Sequence, residues 1–193
     1  MITVLHETRT PEYWDSLYDA GYEIGPSTAD ERQWLRALVG VEPGMRVLDV
    51  GCGKGELSAR MADWGMRVTG LDFSLSAIAA ARDAHSDRGG LLDFHLYDVT
   101  ATQSLVPAPE PVDLVICRFS FEFVDSPRFM VHLDRWLKPG GVLHITSAIA
   151  DRMPHGVAHR GIAIARLAEL SDAWQHMTVY RLHDNLAGIA LRG

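Results

Sequence analysis

Val47 to Gly55, reading VLDVGCGKG, constrains this chain more than any other stretch. Val47-Leu48-Asp49-Val50 has the character of a short buried strand and runs straight into glycines at 51, 53 and 55. Leu57, Met61 and Trp64 then repeat at helical spacing up to Gly65. A strand that turns through glycines into a helix is the opening of a βαβ unit. Such a loop lets the backbone approach a ligand closely and take positive φ angles. In open α/β sheets, ligands sit beyond the carboxyl ends of the strands, where this loop falls.

The same order recurs downstream. Val68 to Leu71 reads as a second strand, Leu75 to His85 as a helix, and Leu92 to Tyr97 as a third strand after the break at Gly89-Gly90. Pro107, Pro109 and Pro111 mark a loop that runs into a fourth strand, Val112 to Cys117. Ser126-Pro127 suits a helix start. That helix ends at Leu137, and LKPGG turns the chain into a fifth strand, Val142 to Thr146. The alternation predicts an α/β fold, a doubly wound and mostly parallel sheet covered on both faces. The last forty residues break the rhythm. Ile162 to Trp174 reads as a helix, and Met177 to Leu182 with Leu186 to Leu191 as a hairpin about His183-Asp184-Asn185, so one strand is expected to run antiparallel. Ahead of the core, Tyr13, Trp14, Tyr18 and Tyr22 recur at roughly helical spacing. Thr28 with Glu31 then forms a capping box for a helix carrying Trp34, Leu35, Leu38 and Val39. One domain over 1–193 is expected, with an N-terminal helical segment over 1–28 and the core with its closing hairpin over 29–193.

Composition narrows the partners. A chain of 193 residues buries enough surface to fold without disulfide or metal. The formal charge is −7, and Lys54 and Lys138 are the only lysines, which argues against a nucleic-acid partner. Cys52 and Cys117 stand far apart and make neither a disulfide framework nor a zinc spacing. The apolar start, Ile2 to Leu5, is too short for a signal peptide, and no run approaches a membrane helix. These features lead to the expectation of a cytoplasmic protein with no membrane partner. Oligomeric state is left open.

Charge then separates two ligand classes for the glycine loop. A dinucleotide loop needs a third glycine one residue later, where this chain has Glu56, and Asp49 would set a carboxylate beside a diphosphate. A phosphate-binding P-loop is excluded because no Gly-Lys-Ser/Thr follows. S-adenosylmethionine carries no phosphate but does carry an ammonium and a sulfonium, so an acid beside it attracts. Asp72, at the end of the second strand, suits a ribose diol, and Asp98, after the third, suits the adenine amino group, with Phe73 and Val99 flanking the ring. Three acids after three successive strands are hard to explain as turn residues alone.

At VLDVGCGKGELS, VTGLDFS, LYDVT, VDLVICRFSFEFV and LKPGGVLHIT the chain resembles the class I S-adenosylmethionine-dependent methyltransferases, over about residues 30–150. The resemblance implies a Rossmann-like seven-stranded sheet of order 3-2-1-4-5-7-6 with the seventh strand antiparallel. It implies that Asp49, Gly51, Cys52, Gly53 and Gly55 hold the methionine part of the cofactor. Asp72 falls at the ribose, Asp98 and Val99 at the adenine, and Arg118 and Phe119 near the reactive end, with Phe73 and Ser74 also counted among the cofactor-binding residues. The N-terminal YWDSLY resembles the lid helix of the thiopurine and tellurite methyltransferases, so Tyr13, Trp14 or Tyr22 would cover the sulfonium. Many members carry His-His after the fourth strand; Glu122-Phe123 stands there in this chain, making Glu122, with Arg118, the candidate catalytic pair. The Asn/Asp-Pro-Pro-Tyr/Phe signature of amino-methylating nucleic-acid enzymes is absent. His155 and His159 are four apart but lie in a segment broken by Pro154 and Gly156, and no metal site is expected. The implied activity is methyl transfer to an O, N or S atom of a small-molecule acceptor, releasing S-adenosylhomocysteine. The alternatives are a peptide, protein or RNA acceptor, or a non-catalytic protein that binds S-adenosylmethionine.

Overall fold

The computed structural model describes residues 10–101, 110–153 and 161–193. Pro107, Pro109, Pro154, His155, Gly156 and His159 lie outside them, as does the rest of residues 154–160 between the fifth and sixth strands.

Seven strands form one sheet in the order β3-β2-β1-β4-β5-β7-β6. They are β1 (Arg46–Val50), β2 (Arg67–Asp72), β3 (Leu92–Leu96), β4 (Val112–Arg118), β5 (Leu137–Ala148), β6 (His176–His183) and β7 (Leu186–Arg192). The first five pair in parallel, and β7 runs antiparallel to both β5 and β6. The order reverses between β1 and β4, which opens a crevice at their carboxyl ends.

Helices cover both faces because alternate residues of each central strand are apolar. Leu48, Val115, Leu143, Ile145 and Ile189 bury against α6 (Pro127–Trp136) and α7 (Ile164–Ala173) through Phe129, Leu133 and Leu170. Val47, Leu114, Ile116 and Val142 face the other way, against α2 (Ala29–Val39) and α3 (Glu56–Asp63) through Leu35, Val39 and Met61. Burying each such side chain contributes about 1.5–3 kcal/mol. α4 (Leu75–Ala84) lies beside them and packs Ile78 and Ala81 on Phe94.

α2 begins as its sequence suggests. Thr28 Oγ1 accepts from the Glu31 N–H at 3.1 Å, and the Glu31 carboxylate accepts from the Thr28 N–H at 2.7 Å. α1 (Pro11–Asp19) is capped by Thr10 and begins with proline, whose missing donor costs a helix start nothing. Two local features differ from expectation. Leu137 already pairs with Val112, and LKPGG is absorbed as an irregularity in β5 before Val142 meets Leu114. Proline and glycine are tolerated where the ladder is interrupted. After β4, Phe121–Val124 makes a single helical turn, α5, too short to register as periodicity.

Candidate active site

The crevice at the strand ends is a cleft in two parts, which share Tyr18, Ile24 and Gly51. Its floor is the glycine loop. Gly51 and Cys52 donate their N–H groups to the Leu71 carbonyl, Gly53 donates to Asp72 Oδ2 at 2.9 Å, and Gly55 donates to the Cys52 carbonyl. Four of the loop's backbone donors are therefore spent within the protein. At Gly53, φ is +54°, and a Cβ would lie 2.8 Å from the Tyr18 hydroxyl, so α1 rests directly on the loop.

Asp49 stands where β1 meets that loop and is 2% exposed. Ser58 Oγ, from α3, donates to its Oδ2 at 2.5 Å. Burial pushes the Asp49 carboxyl up to about 6, against the opposing pull of Ser58 and the Arg118 charge. A cation arriving here would restore the ionised form.

Asp72 closes β2. One oxygen accepts from Gly53 and the other from the Ser74 N–H at 2.9 Å. Each carboxylate oxygen has two lone pairs, so acceptor capacity is left for a diol. Burial raises the Asp72 carboxyl, with the backbone donors pulling it back. Asp98 lies two residues beyond β3, its Oδ1 taken by the N–H and hydroxyl of Thr100 at 2.8 and 2.7 Å. Asp72 and Asp98 line the same part of the cleft as Phe73, Val99 and Tyr97, which make a slot with apolar walls and acidic ends.

The other part holds Asp49, Cys52, Lys54, Glu56 and Arg118. Arg118 ends β4, and its Nε and Nη2 donate to the two Glu31 oxygens at 3.0 and 3.4 Å. Its guanidinium lies 4.8 Å from the centre of the Phe119 ring. Phe119 has φ +57°, a left-handed conformation costly for a residue with a side chain, and it lines the cleft at the switch point.

Trp14 and Tyr18 of α1 form part of the roof, with Phe123 meeting Trp14 edge to face at 5.4 Å between ring centres. α1 is held down by Asp15, whose Oδ1 accepts from Ser74 Oγ at 2.6 Å and from the Ser76 N–H at 3.1 Å, at the start of α4.

Most of the residues singled out from sequence thus converge on one cleft: Asp49, Gly51, Cys52, Gly53, Asp72, Phe73, Asp98, Val99, Arg118, Phe119 and Trp14 all line it. Gly55 sits beneath, with Phe94 and His85 against its Cα. Tyr13 and Tyr22 pack on Trp14 and line neither part. The Ser74 hydroxyl is engaged by Asp15 and by the Ala77 N–H. Glu122 also lines neither part; it accepts from Ser147 Oγ of β5 at 3.2 Å, and burial raises its carboxyl. Sequence reasoning missed Tyr18 as a wall, Ser58 and Glu31 as partners of Asp49 and Arg118, and Asp15. Tyr18 follows Trp14 by one helical turn and so shares its face, which was a usable signal.

Comparison with known proteins agrees with this fold. Residues 47–141 match the model of a methyltransferase domain. The ubiquinone biosynthesis O-methyltransferase of Stutzerimonas stutzeri strain A1501 is 32% identical over 88% of this chain and 71% of its own length. The enzyme of that name from Pseudomonas aeruginosa strain UCBPP-PA14 is 31% identical over 73% of this chain, which spans 60% of that relative. Among solved structures, a SAM-dependent methyltransferase from Aquifex aeolicus superposes with a TM-score of 0.65 at 20% identity, over 83% of this chain and 88% of that one. The chain belongs to the class I S-adenosylmethionine-dependent methyltransferase family.

Proposed function

We propose that this protein binds S-adenosylmethionine in the two-part cleft and transfers its methyl group to an oxygen of a small-molecule acceptor. The observation that carries the reading is the set of three acids at successive strand ends, Asp49, Asp72 and Asp98, along one two-part cleft. The adenine slot takes the nucleoside, with Asp98 toward the amino group and Asp72 toward the ribose hydroxyls. Asp49 faces the cationic tail. The bound cofactor supplies an activated methyl group on a good leaving group.

The protein's task is then alignment and exclusion of water, and orientation alone can contribute about 7–11 kcal/mol in favourable cases. In this reading the described part of the N-terminal segment, residues 10–28, forms the lid, and the Trp14, Tyr18 and Phe123 rings shield the reacting centre. For an acceptor that must shed a proton, Glu122 is the candidate base from sequence, although here it accepts from Ser147 and lines neither part of the cleft. An oxygen acceptor is supported by the names of the relatives from Stutzerimonas and Pseudomonas. The acidic balance of the chain fits a small molecule better than a nucleic acid.

Calorimetry with S-adenosylmethionine, S-adenosylhomocysteine and NAD tests the cofactor, with the first two expected to bind and NAD not. Transfer of labelled methyl groups across phenolic and carboxylic metabolites, peptides and RNA tests the acceptor. Label appearing only in peptide or RNA would overturn the small-molecule assignment.

A further inference from the structure

The sheet ends in two edge strands, β3 and β6, and their free backbones are treated differently. Leu91 and Tyr97, which flank β3, bond to β2, so by alternation Phe94 turns its N–H and C=O outward. Both groups are capped by side chains. The N–H donates to Asp93 Oδ1 at 2.9 Å, and the C=O accepts from Arg82 Nε and Nη2 at 3.0 and 2.6 Å. An edge covered in this way is blunted against further pairing.

β6 is left open. It has eight residues and pairs with β7 alone, and among the described residues no side chain bonds its backbone. The strand is nonetheless firmly placed. Tyr180, its one buried residue, pairs through its hydroxyl with His144 Nε2 at 2.8 Å and stacks on Trp34 of α2 at 5.1 Å between ring centres. Trp34 is 45% exposed and Val179 47%. Neighbouring residues of a strand point to opposite faces, so Trp34 flanks this edge on the α2 side and Val179 on the other. An ordered strand with an open backbone and an apolar group on each face is a template for another strand.

We propose that β6 is a dimer interface, where it pairs antiparallel with β6 of a second copy of this chain about a two-fold axis at Tyr180, joining two sheets into one. The inference is independent of the ligand reading above. An antiparallel edge pair is self-complementary, so one surface serves both sides of a two-fold contact. Charge fits this occupant too. Pairing about Tyr180 sets Val179 of one copy against the aliphatic stem of Arg181 of the other. It also sets His176 of each copy beside the turn that holds Asp184 of the other, an opposite-sign contact made twice. A two-fold axis normal to the sheet keeps α2 on the same side of both copies, so the two Trp34 indoles flank the axis together.

Sedimentation velocity of the purified protein over a wide concentration range tests this. Wild type should pass from monomer to dimer as concentration rises, and amides of residues 177–182 should gain hydrogen-exchange protection in step. Val179→Lys should raise the dissociation constant at least about tenfold, by setting a charge into the pairing surface. Leu96→Lys, on the capped edge and similarly exposed at 48%, should leave it unchanged. Asp184→Lys should weaken the dimer, and adding His176→Asp should restore it, because those positions lie at opposite ends of β6 and meet only across the axis. Matching circular dichroism and melting curves show that each variant folds. A wild type that stays monomeric at every concentration would overturn the proposal. So would a dimer indifferent to Val179→Lys, whether or not Leu96→Lys disrupts it.

Discussion

Asp49 shows how one buried side chain couples ligand binding to pH. In the unfolded chain its carboxyl ionises near 3.8, and in the folded protein at about 6 because burial disfavours the charge. Its folded pKa is raised, so the folded state holds the proton more tightly, and the associated stability is fully present below pH 4 and lost as pH rises through 6. The loss approaches about 3 kcal/mol at neutral pH. Asp49→Asn should therefore melt with wild type near pH 4 and above it at pH 7, while losing affinity for S-adenosylhomocysteine. Thermal melts across that range would show it, and parallel curves would refute the assignment. Wild-type affinity should also rise about tenfold between pH 5 and 7 in calorimetry, because only the ionised carboxylate attracts an ammonium. Gly53 gives a second test at this scale. Gly53→Ala puts a methyl group 2.8 Å from the Tyr18 hydroxyl at φ +54°, and should weaken S-adenosylhomocysteine binding. Adding Tyr18→Phe should restore part of the loss. A double-mutant cycle with no coupling would show that α1 does not rest on the loop in solution.

At the scale of elements, α1 matters most for access to the cleft. Two hydrogen bonds accepted by Asp15 tie it to the start of α4, where a carboxylate also meets the favourable end of the helix dipole. Asp15→Ala removes both and should cost about 1 kcal/mol of stability, similar to losing a helix cap. The larger expected effect is on exchange. Dissociation of S-adenosylhomocysteine in stopped flow should quicken several-fold, and amides of residues 11–19 should lose hydrogen-exchange protection. An unchanged dissociation rate would rule out α1 as the lid. The Asp15 contact was invisible in sequence because its partners lie about sixty residues away. The capping box of α2 was legible, since Thr28 and Glu31 are three apart and their reciprocal bonds are local. Its second role was not legible: the same Glu31 carboxylate reaches Arg118 across 87 positions. LKPGG reads as a turn because proline and glycine favour one, yet the pairing of Leu137 with Val112 draws it into β5.

For the whole molecule, the core lies in two layers on either side of the sheet, and β5 runs through it beside the middle strand β4. Leu143 is fully buried there between β4 and β7, so Leu143→Ala should cost about 2–5 kcal/mol in urea unfolding. Ligand linkage offers a global readout of the proposed cofactor. S-adenosylhomocysteine at a hundredfold excess over its Kd should add about 2.7 kcal/mol to wild type, and NAD nothing. Among the described residues, no helix is long and apolar enough to cross a membrane. The order and type of the strands, the glycine turn and the acids at the strand ends were set by local sequence, because periodicity, turn chemistry and strand alternation act over a few residues. Only the folded sheet decided which of those acids share a cleft, that Tyr18 covers the loop, and that Glu31 holds Arg118 at the cleft's wall. Those outcomes depend on register and crossover between distant segments, and no short-range pattern encodes them.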